Sequence, residues 1–491
     1  MSPYAPDAAP PGLAAHEARV ARDLELLNLP ARPWAATRSG PDGRPLVDVL
    51  VVGAGMCGIA AAAGLLFRGI PNIRVLDRNS AGREGPWLTF ARMETLRSPK
   101  QLPGPALGVP SLTFRAWYEA IHGAEAWRRL YKIARATWMD YLGWLQRVLR
   151  LPIENDVTVT RLEPLHDMIA VTVCDAVGTR VLHARRVVLA TGRGGAGGLY
   201  TPDFVDRSLW PDLAAHANEA IDFTRLAGRR IAVLGGGDAA WDNAATALEA
   251  GAARVDMYVR RPVLPQVNKG RGAALAGFFV GIGALDDADR WAHLVYRDDH
   301  APPPPHETVL RTLRQPAFHI HLATPVVAAR RDDARVALRL DGTSEPVGAD
   351  FLIVATGFQI DLATCPELAA LAQAIATWGD RHAPPAALER PHLARYPYLG
   401  PGFELQPRTP SDPPALARIH LFNFGATASH GALTGEIPGV DIGAARLTDA
   451  IAAAIFREDL DHMRRQLDAF AEPELEPTPF FAPEHLKGTP P

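Results

Sequence analysis

Short apolar runs alternate with segments of helical spacing along most of this chain. The run at residues 47–52 is apolar except for Asp48, which is typical of a strand buried on both faces. Similar short runs lie at residues 73–76, 186–189, 230–234, 255–259, 351–354 and 419–425. Because such strands alternate with helical segments, the pattern predicts an α/β fold built on parallel sheets.

The first run leads into a glycine-rich turn. Gly53, Gly55 and Gly58 have the spacing G-x-G-x-x-G, and an alanine-rich helical segment follows them. In a strand–turn–helix unit this spacing lets a dinucleotide pyrophosphate approach the backbone at the helix N-terminus. Asp77 follows the next predicted strand, where an acidic side chain accepts hydrogen bonds from an adenosine ribose. We therefore predict a dinucleotide site at this turn.

A second turn of the same kind follows the strand at residues 230–234. Gly235, Gly237 and Ala240 give the spacing G-x-G-x-x-A, and Asp238 begins the helix. The sequence therefore predicts a second dinucleotide site that includes these four residues.

The strand after the second turn ends in two arginines, Arg260 and Arg261, with no acidic residue at its tip. A guanidinium fork suits a 2′-phosphate, whereas a carboxylate suits a free ribose hydroxyl. We expect this site to prefer NADPH over NADH, although solvated surface arginines are the alternative.

Two of the apolar strands end in the same tripeptide, Ala-Thr-Gly, at Gly192 and Gly357. A strand of this kind is expected where the chain leaves each nucleotide-binding unit, so the two units are nested. The predicted architecture is two nested Rossmann-like dinucleotide-binding domains plus a helical insertion. Its predicted parts are an N-terminal extension (1–45), an FAD domain (46–225 and 356–470) with a helical insertion (95–150), an NADPH domain (226–355) and a C-terminal tail (471–491).

Four further features of the chain carry a local pattern. Residues 13–28 have mixed helical spacing and predict an N-terminal helix, and the tail is rich in proline and glutamate. The insertion is rich in aromatic residues, and its apolar positions recur on one helical face from residue 138 to residue 149, a stripe that favours a core over a binding surface. Trp87 follows a Gly-Pro turn after the second strand, where it either covers the first cofactor or fills the core of its own loop.

Composition and charge exclude several classes of function. The net charge of −3 leaves no electrostatic footprint for nucleic acid. The 3 cysteines, Cys57, Cys174 and Cys365, lie far apart without C-x-x-C spacing, which disfavours a disulfide framework, a metal site and a redox dithiol. No apolar run is long enough to span a bilayer, so we predict a soluble, cytoplasmic protein with no membrane partner.

Taken together, these motifs resemble the class B single-component flavoprotein monooxygenases, which include flavin-containing, N-hydroxylating and Baeyer–Villiger enzymes. The resemblance covers residues 48–457 and implies that FAD stays bound and that NADPH reduces it. It further implies that oxygen adds at flavin C4a and that the resulting hydroperoxide transfers one oxygen atom to a small-molecule substrate. Oligomeric state is left open, with a homo-oligomer as one alternative.

The position of His216 corresponds to the histidine in the F-x-G-x-x-x-H fingerprint of Baeyer–Villiger and flavin-containing members. Here Trp210 and Asp212 replace the Phe and the Gly of that fingerprint, which weakens the ketone-oxidising interpretation. His216 is therefore a candidate proton-transfer group or, equally, a residue that orders the hinge between the domains.

Near the end of the last predicted strand, Ser429-His430-Gly431 is similar to the Thr-His-Gly of N-hydroxylating members. This similarity implies that His430 lies at the flavin, although a role in holding the loop is the alternative. We predict N-hydroxylation of a small polar amine or amino acid, with Baeyer–Villiger or sulfur oxidation as the alternative. An FAD-linked NADPH reductase for electron transfer is a second alternative.

The polar loop at residues 265–271 is a candidate to reach the NADPH pyrophosphate or the substrate, and Lys269 is its predicted catalytic residue. A cation near the substrate would stabilise a peroxyanion or bind a substrate carboxylate. The sequence offers five cations for this role: Arg92, Arg97, Lys100, Lys269 and Arg271.

Overall fold

A computed structural model describes residues 11–472 and residue 474 of the chain. The strands are β1 (Val47–Val52), β2 (Ile73–Leu76), β3 (Ile153–Glu154), β4 (Thr158–Pro164), β5 (Ile169–Asp175), β6 (Gly178–Leu189), β7 (Gly197–Leu199), β8 (Ala214–His216), β9 (Arg230–Leu234), β10 (Arg254–Tyr258), β11 (Phe318–His321), β12 (Val326–Asp332), β13 (Arg335–Leu340), β14 (Val347–Ala349), β15 (Phe351–Val354), β16 (Phe358–Ile360) and β17 (Ile419–Leu421). The helices are α1 (Pro11–Leu26), α2 (Met56–Phe67), α3 (Phe114–Arg129), α4 (Arg135–Val148), α5 (Asp238–Glu249), α6 (Lys269–Gly272), α7 (Ala276–Gly281), α8 (Asp287–Asp299), α9 (His306–Leu313), α10 (Trp378–Arg381), α11 (Thr427–His430), α12 (Val440–Glu458) and α13 (Leu460–Ala469).

The first domain is built on a 7-stranded sheet in the order β3-β2-β1-β6-β5-β4, with β17 also paired to β6. Strands β2, β1, β6 and β17 are parallel, and all six residues of β1 are buried. The carboxyl ends of these strands therefore share one edge of the sheet. In open α/β sheets ligands bind at this edge, and the turn with Gly53 begins there.

The inserted unit has its own 5-stranded parallel sheet in the order β11-β10-β9-β15-β8, and a small antiparallel sheet of β12, β13 and β14 accompanies it. Its entry and exit lie side by side because β7 pairs with β16, with Phe358 opposite Leu199. The predicted α/β fold with nested nucleotide-binding domains is therefore confirmed.

The predicted start of the inserted unit, residue 226, stays a prediction. Strand β8 precedes that position, yet it hydrogen-bonds to β15, with His216 opposite Val354. A three-residue strand carries too little periodicity to be recognised before its partner is known.

The helical insertion buries a cluster of aromatic side chains. Phe114, Trp117, Trp138, Tyr141 and Trp144 are nearly inaccessible to solvent. The Tyr141 hydroxyl donates a hydrogen bond to the carbonyl of Leu112 (2.7 Å). The N-terminal helix α1 packs on the same cluster, since the Trp144 indole donates to Glu17 (3.1 Å). These aromatic residues therefore form a core, as the stripe predicted. The predicted tail lies almost wholly outside the described residues, and no helix within them is long and apolar enough to cross a membrane.

Candidate active site

Two glycines of the first turn are required by the packing of the protein itself. Gly53 has a positive φ of 101°, and a Cβ there would lie 2.6 Å from the carbonyl oxygen of Ala190. A Cβ on Gly58 would lie 1.8 Å from the carbonyl oxygen of Gly53. These glycines allow β1, its turn and α2 to pack closely, and they do not by themselves indicate a ligand.

Gly55 is different. It is the N-cap of α2, with φ −70° and ψ −174°, a conformation open to any residue. A Cβ there would meet only Gly85, with its Cα at 3.6 Å, which is an ordinary contact. Neither backbone nor packing demands glycine, so the remaining reason for it is close approach of a ligand to the helix N-terminus. The residues of the turn fit a dinucleotide pyrophosphate.

The second turn repeats this arrangement. Gly235 has φ 128°, and its Cβ would lie 2.4 Å from the carbonyl oxygen of Ala355. Gly237 caps α5 with φ −86° and ψ −177°, and a Cβ there would have no neighbour within 4 Å in the described part of the chain. Ala240 is fully buried where α5 packs on its sheet. This second cradle therefore also fits a pyrophosphate.

Asp77 lies at the end of β2 beside the first turn. Its carboxylate accepts hydrogen bonds from the backbone N–H groups of Ala54 (2.7 Å) and Asn79 (2.8 Å). The side chain is therefore fixed beside Gly53, with lone pairs left for a ribose hydroxyl. Its contact with ribose stays a prediction.

Trp87 lies close to the first turn, with Gly85 between its ring and Gly55. A Cβ on Gly85 would lie 3.7 Å from the indole ring of Trp87 and 3.8 Å from Gly55 Cα. The ring also packs edge-on against Trp138, with centroids 6.2 Å apart. Its Nε1 is buried and has no hydrogen-bond partner among the residues that the structure describes. A buried indole N–H without an acceptor fits a cofactor that supplies one.

Arg260 and Arg261 lie just beyond β10, after Val259, and both are exposed. Within residues 11–472, neither side chain makes an ion pair closer than 4 Å. Both guanidinium groups are thus available at the strand end where the 2′-phosphate is predicted, which is what that prediction requires.

Gly192 and Gly357 both have positive φ, 73° and 85°. Gly192 turns the chain after β6, and Gly357 turns it after β15 and accepts a backbone hydrogen bond from Tyr200 (2.9 Å). Each predicted Ala-Thr-Gly turn therefore lies at the carboxyl end of a central strand.

His216 lies inside the inserted unit, with only 1% of its surface exposed. Burial lowers its pKa, and its Nδ1 accepts a hydrogen bond from the backbone N–H of Asn218 (3.2 Å). The ring is neutral and lies at the end of β8, next to the strand that returns to the first domain. This geometry favours ordering of the hinge over proton transfer.

His430 anchors its loop. Its Nε2 is 3.0 Å from the carbonyl oxygen of Gly400, Nδ1 is 3.2 Å from Arg446, and its ring packs on Phe403 with centroids 4.0 Å apart. Burial, together with the charge of Arg446, lowers its pKa to about 3. Ser429 is also buried, and its hydroxyl accepts a hydrogen bond from the Trp378 indole (3.1 Å). These contacts favour the loop-holding alternative.

The candidate cations divide into two groups. Arg92 donates to the carbonyl groups of Thr89 (3.1 Å) and Glu219 (3.0 Å), and Lys100 donates to that of Trp127 (2.6 Å). Arg97 is paired with Asp238 (2.6 Å). Lys269 and Arg271, by contrast, are exposed at the start of α6. The first group is therefore already engaged in structural contacts.

Arg193, which directly follows Gly192, is a further candidate that the motifs did not indicate. Its guanidinium carbon lies 5.5 Å from the ring centroid of Phe424, a residue just beyond β17. Asn423 joins the two strand ends by donating to Thr191 (2.9 Å) and to the carbonyl of Gly195 (3.0 Å). Arg193 is exposed at the edge where this fold binds ligands. Its place directly after Ala-Thr-Gly was the available signal.

Across the described ranges, no group of three or more histidine, cysteine, aspartate or glutamate side chains is placed to hold a metal ion. Cys57 and Cys365 are buried, and burial raises their pKa values to about 11 and about 12. Neither thiol is therefore activated for redox chemistry.

The two nucleotide cradles on nested parallel sheets define a two-domain flavoprotein. Residues 50–273 match the family model described as "Pyridine nucleotide-disulphide oxidoreductase". The chain belongs to the flavin-dependent monooxygenases of class B. It is 40% identical over 459 residues to the FAD-dependent urate hydroxylase of Xanthomonas campestris pv. campestris, covering 92% of this chain and 94% of that protein.

Solved structures of the same fold include an ornithine hydroxylase from Pseudomonas aeruginosa, with a TM-score of 0.66 and 18% identity over 83% of this chain and 99% of that one. The ornithine N-hydroxylase of Kutzneria sp. 744, solved with reduced FAD, NADP⁺ and L-ornithine, has a TM-score of 0.65 and 17% identity over 84% of this chain and 100% of that one. These likenesses show the fold.

The family assignment confirms the predicted class of enzyme and, at the level of the family, its flavin and NADP cofactors. The predicted roles of individual residues stay predictions.

Proposed function

We propose that this chain is an FAD- and NADPH-dependent monooxygenase that hydroxylates urate or a closely related oxopurine. The observation that carries the proposal is the 40% identity to a urate hydroxylase over nearly the full length of both chains. Identity at this level, spread over both domains, is hard to reconcile with an unrelated substrate class.

The proposed reaction consumes one molecule each of oxygen and NADPH together with a proton. One oxygen atom goes to the substrate, the other leaves as water, and NADPH is oxidised to NADP⁺. Bound FAD supplies the chemistry that passes two electrons from NADPH to oxygen and transfers one oxygen atom.

The residues of the chain supply binding and orientation. The turns at Gly55 and Gly237 hold the two pyrophosphates on helix N-termini, and Arg260 and Arg261 bind the 2′-phosphate. The two predicted catalytic residues, Lys269 and His216, have different roles in this proposal. Lys269 stays a candidate for a contact with nucleotide or substrate, whereas His216 orders the hinge.

Arg193 is the proposed substrate contact. Urate is a planar anion at neutral pH, and a guanidinium group offers both a planar face for stacking and a fork of donors for oxygen and nitrogen atoms. The packing of Arg193 on Phe424, at 5.5 Å, fixes this plane at the ligand-binding edge of the first sheet.

N-hydroxylation of an amine is the second candidate. It is favoured by the fold shared with ornithine hydroxylases and by the Ser429-His430-Gly431 similarity. Burial of Ser429 and His430 removes both side chains from direct contact with a substrate, so this support is the weaker of the two. Baeyer–Villiger oxidation, sulfur oxidation and electron-transfer reduction have no further observation in their favour.

The test is a substrate panel with the purified, FAD-loaded protein. NADPH oxidation, oxygen uptake, peroxide and hydroxylated product are measured together with urate, xanthine, ornithine, lysine, a sulfide and a ketone. We expect urate to raise NADPH oxidation and to give hydroxylated product with little peroxide. Hydroxylamine formation from an amine, with urate unchanged, would reject the proposal in favour of the second candidate.

A matched pair of variants tests the substrate contact. Arg193→Gln is expected to raise the KM for urate about tenfold while the KM for NADPH is unchanged. Arg207→Gln is the control. Arg207 also packs on an aromatic ring, that of Trp210 at 5.5 Å, but it lies in another loop, between β7 and β8. Equal KM values for urate in both variants would exclude the role of Arg193.

A further inference from the structure

Arg97 crosses from the first domain to the inserted unit. One guanidinium nitrogen lies 2.6 Å from Oδ2 of Asp238, and the other donates to the carbonyl of Pro303. Both of these partners belong to the inserted unit, whereas Arg97 lies between β2 and α3 in the first domain. The side chains are partly exposed, 33% for Arg97 and 43% for Asp238, so solvent and small molecules can reach the pair.

Asp238 places a carboxylate at the nucleotide cradle of the inserted unit. It is the first residue of α5, directly after Gly237, whose missing side chain leaves the space for a pyrophosphate. A carboxylate there is favoured by the helix dipole, but it would repel a diphosphate that binds the same helix end. The cradle therefore needs a compensating cation close to Asp238.

The cation that is present comes from the other domain. The only ion pair of Asp238 closer than 4 Å within the described residues is the one with Arg97. Arg260 and Arg261 lie at the next strand end, where a 2′-phosphate would engage them. Arg193, which also belongs to the first domain, is a second cation whose charge acts on Asp238. The charge of the cradle is thus balanced only while the first domain lies against α5, with Arg97 in direct contact.

We propose that Arg97 is a positioning residue for NADPH, which acts by neutralising Asp238 across the domain boundary. The cradle of the inserted unit then accepts a pyrophosphate only in the domain arrangement that brings Arg97 to α5. This inference rests on the proposed use of NADPH, but it does not depend on which substrate is hydroxylated.

Arg311 provides a matched control at the other end of the same helix. It pairs with Glu249 at the end of α5, and it also donates to the carbonyl of Arg92 in the first domain (3.1 Å). Its replacement breaks a contact across the same boundary and leaves the cradle untouched.

The experiment measures equilibrium binding of NADP⁺ to oxidised, FAD-loaded protein by dialysis, without turnover. The variants are Arg97→Gln, Asp238→Asn, the double variant and Arg311→Gln. We expect R97Q to raise the Kd for NADP⁺ about tenfold, because an uncompensated carboxylate then faces the diphosphate. The double variant is expected to return to within about threefold of the wild type, since the carboxylate is gone as well. D238N should lower the Kd, because the carboxylate is gone while Arg97 remains, and R311Q, which leaves the cradle intact, should stay within about threefold of the wild type.

Retained FAD content and circular dichroism verify that each variant is folded. Unchanged binding by R97Q, or a double variant as weak as R97Q, would overturn charge compensation; the latter result would indicate direct contact between Arg97 and the nucleotide. A wild-type protein that binds FAD but no NADP⁺ would instead contradict the proposed function, and this inference with it.

Discussion

At the scale of single residues, the first glycine turn contains two kinds of glycine: those that the packing of the protein requires and one that it does not require. Gly53 and Gly58 are required by contacts at 2.6 Å and 1.8 Å, whereas Gly55 is not required by conformation or packing. The sequence motif does not distinguish the two kinds, because it contains glycine at all three positions. We therefore expect Gly55 to be the position where cofactor binding can be changed while the fold is kept.

We expect Gly55→Ala to fold without cofactor and to lose FAD. Its apo stability should fall by no more than about 1 kcal/mol, the usual scale for an N-cap change. FAD affinity should fall at least about tenfold, because the methyl group occupies the space of the pyrophosphate. Thermal unfolding of the apoprotein and flavin content after purification measure the two effects. Gly58→Ala is the contrasting variant and should fail to fold. A G55A protein with full flavin content would show that the cradle does not hold a pyrophosphate there.

The arginines after β10 give a second residue-level prediction. Replacement of Arg260 and Arg261 by alanine should raise the KM for NADPH about tenfold or more, since a phosphate loses its guanidinium partners, and should leave the KM for NADH nearly unchanged. Steady-state kinetics with both nucleotides measure this difference. Equal effects on the two nucleotides would assign these arginines to the solvated surface.

At the scale of elements, sequence reasoning succeeded where the signal is local. The runs predicting β1, β2 and β9 have the observed bounds, because a buried parallel strand is a continuous apolar run in any context. β8 and the small sheet of β12–β14 were missed, since their identity depends on partners far along the chain. The same limit applies to the site: the glycines were found, but the contacts of Arg97, Arg193 and His430 are tertiary.

Helix α5 shows how one element combines a cradle with a buried packing face. Its Asp242 is 7% exposed and accepts a hydrogen bond from Thr308 of α9 (2.9 Å). Burial raises the pKa of this carboxyl from 3.8 to about 6. Because the folded-state pKa lies above the unfolded one, the protonated carboxyl favours folding at low pH. This contribution is lost as pH rises through about 6.

Asp242→Asn removes this titration and keeps the acceptor for Thr308. The stability of the wild type relative to the variant should fall by up to about 3 kcal/mol between about pH 4 and about pH 7. Denaturant unfolding across this range measures the difference, with Asp332→Asn on the exposed end of β12 as the control. Parallel pH profiles for wild type and D242N would contradict a raised pKa.

At the scale of the whole molecule, the first domain is assembled from two stretches of chain separated by the inserted unit. A buried ion cluster joins them: Arg185 of β6 is fully inaccessible and contacts Asp48 of β1 (3.2 Å) and Asp459 after α12 (2.9 Å). Glu458 (3.0 Å from Arg185) and Arg38 (2.6 Å from Asp459) also belong to it, and Glu458 further pairs with Arg186 (2.6 Å) and Arg418 (2.7 Å). The cluster therefore joins the N-terminal segment, the central sheet and the last helices behind the cofactor edge.

Arg185→Met should consequently destabilise the entire first domain. The substitution leaves the carboxylates of Asp48 and Asp459 buried with less compensation, and removal of one partner from a buried ion pair costs about 3–5 kcal/mol. Denaturant unfolding followed by circular dichroism measures this loss. Arg464→Met is the control: its pair with Asp461 is exposed (66% and 83%) and long (3.5 Å), so a change below about 1 kcal/mol is expected. Because the cluster is remote from both glycine turns, R185M protein that remains folded should still bind FAD. A loss as small as that of R464M would mean that β6 and the last helices are held together by apolar packing and not by this cluster.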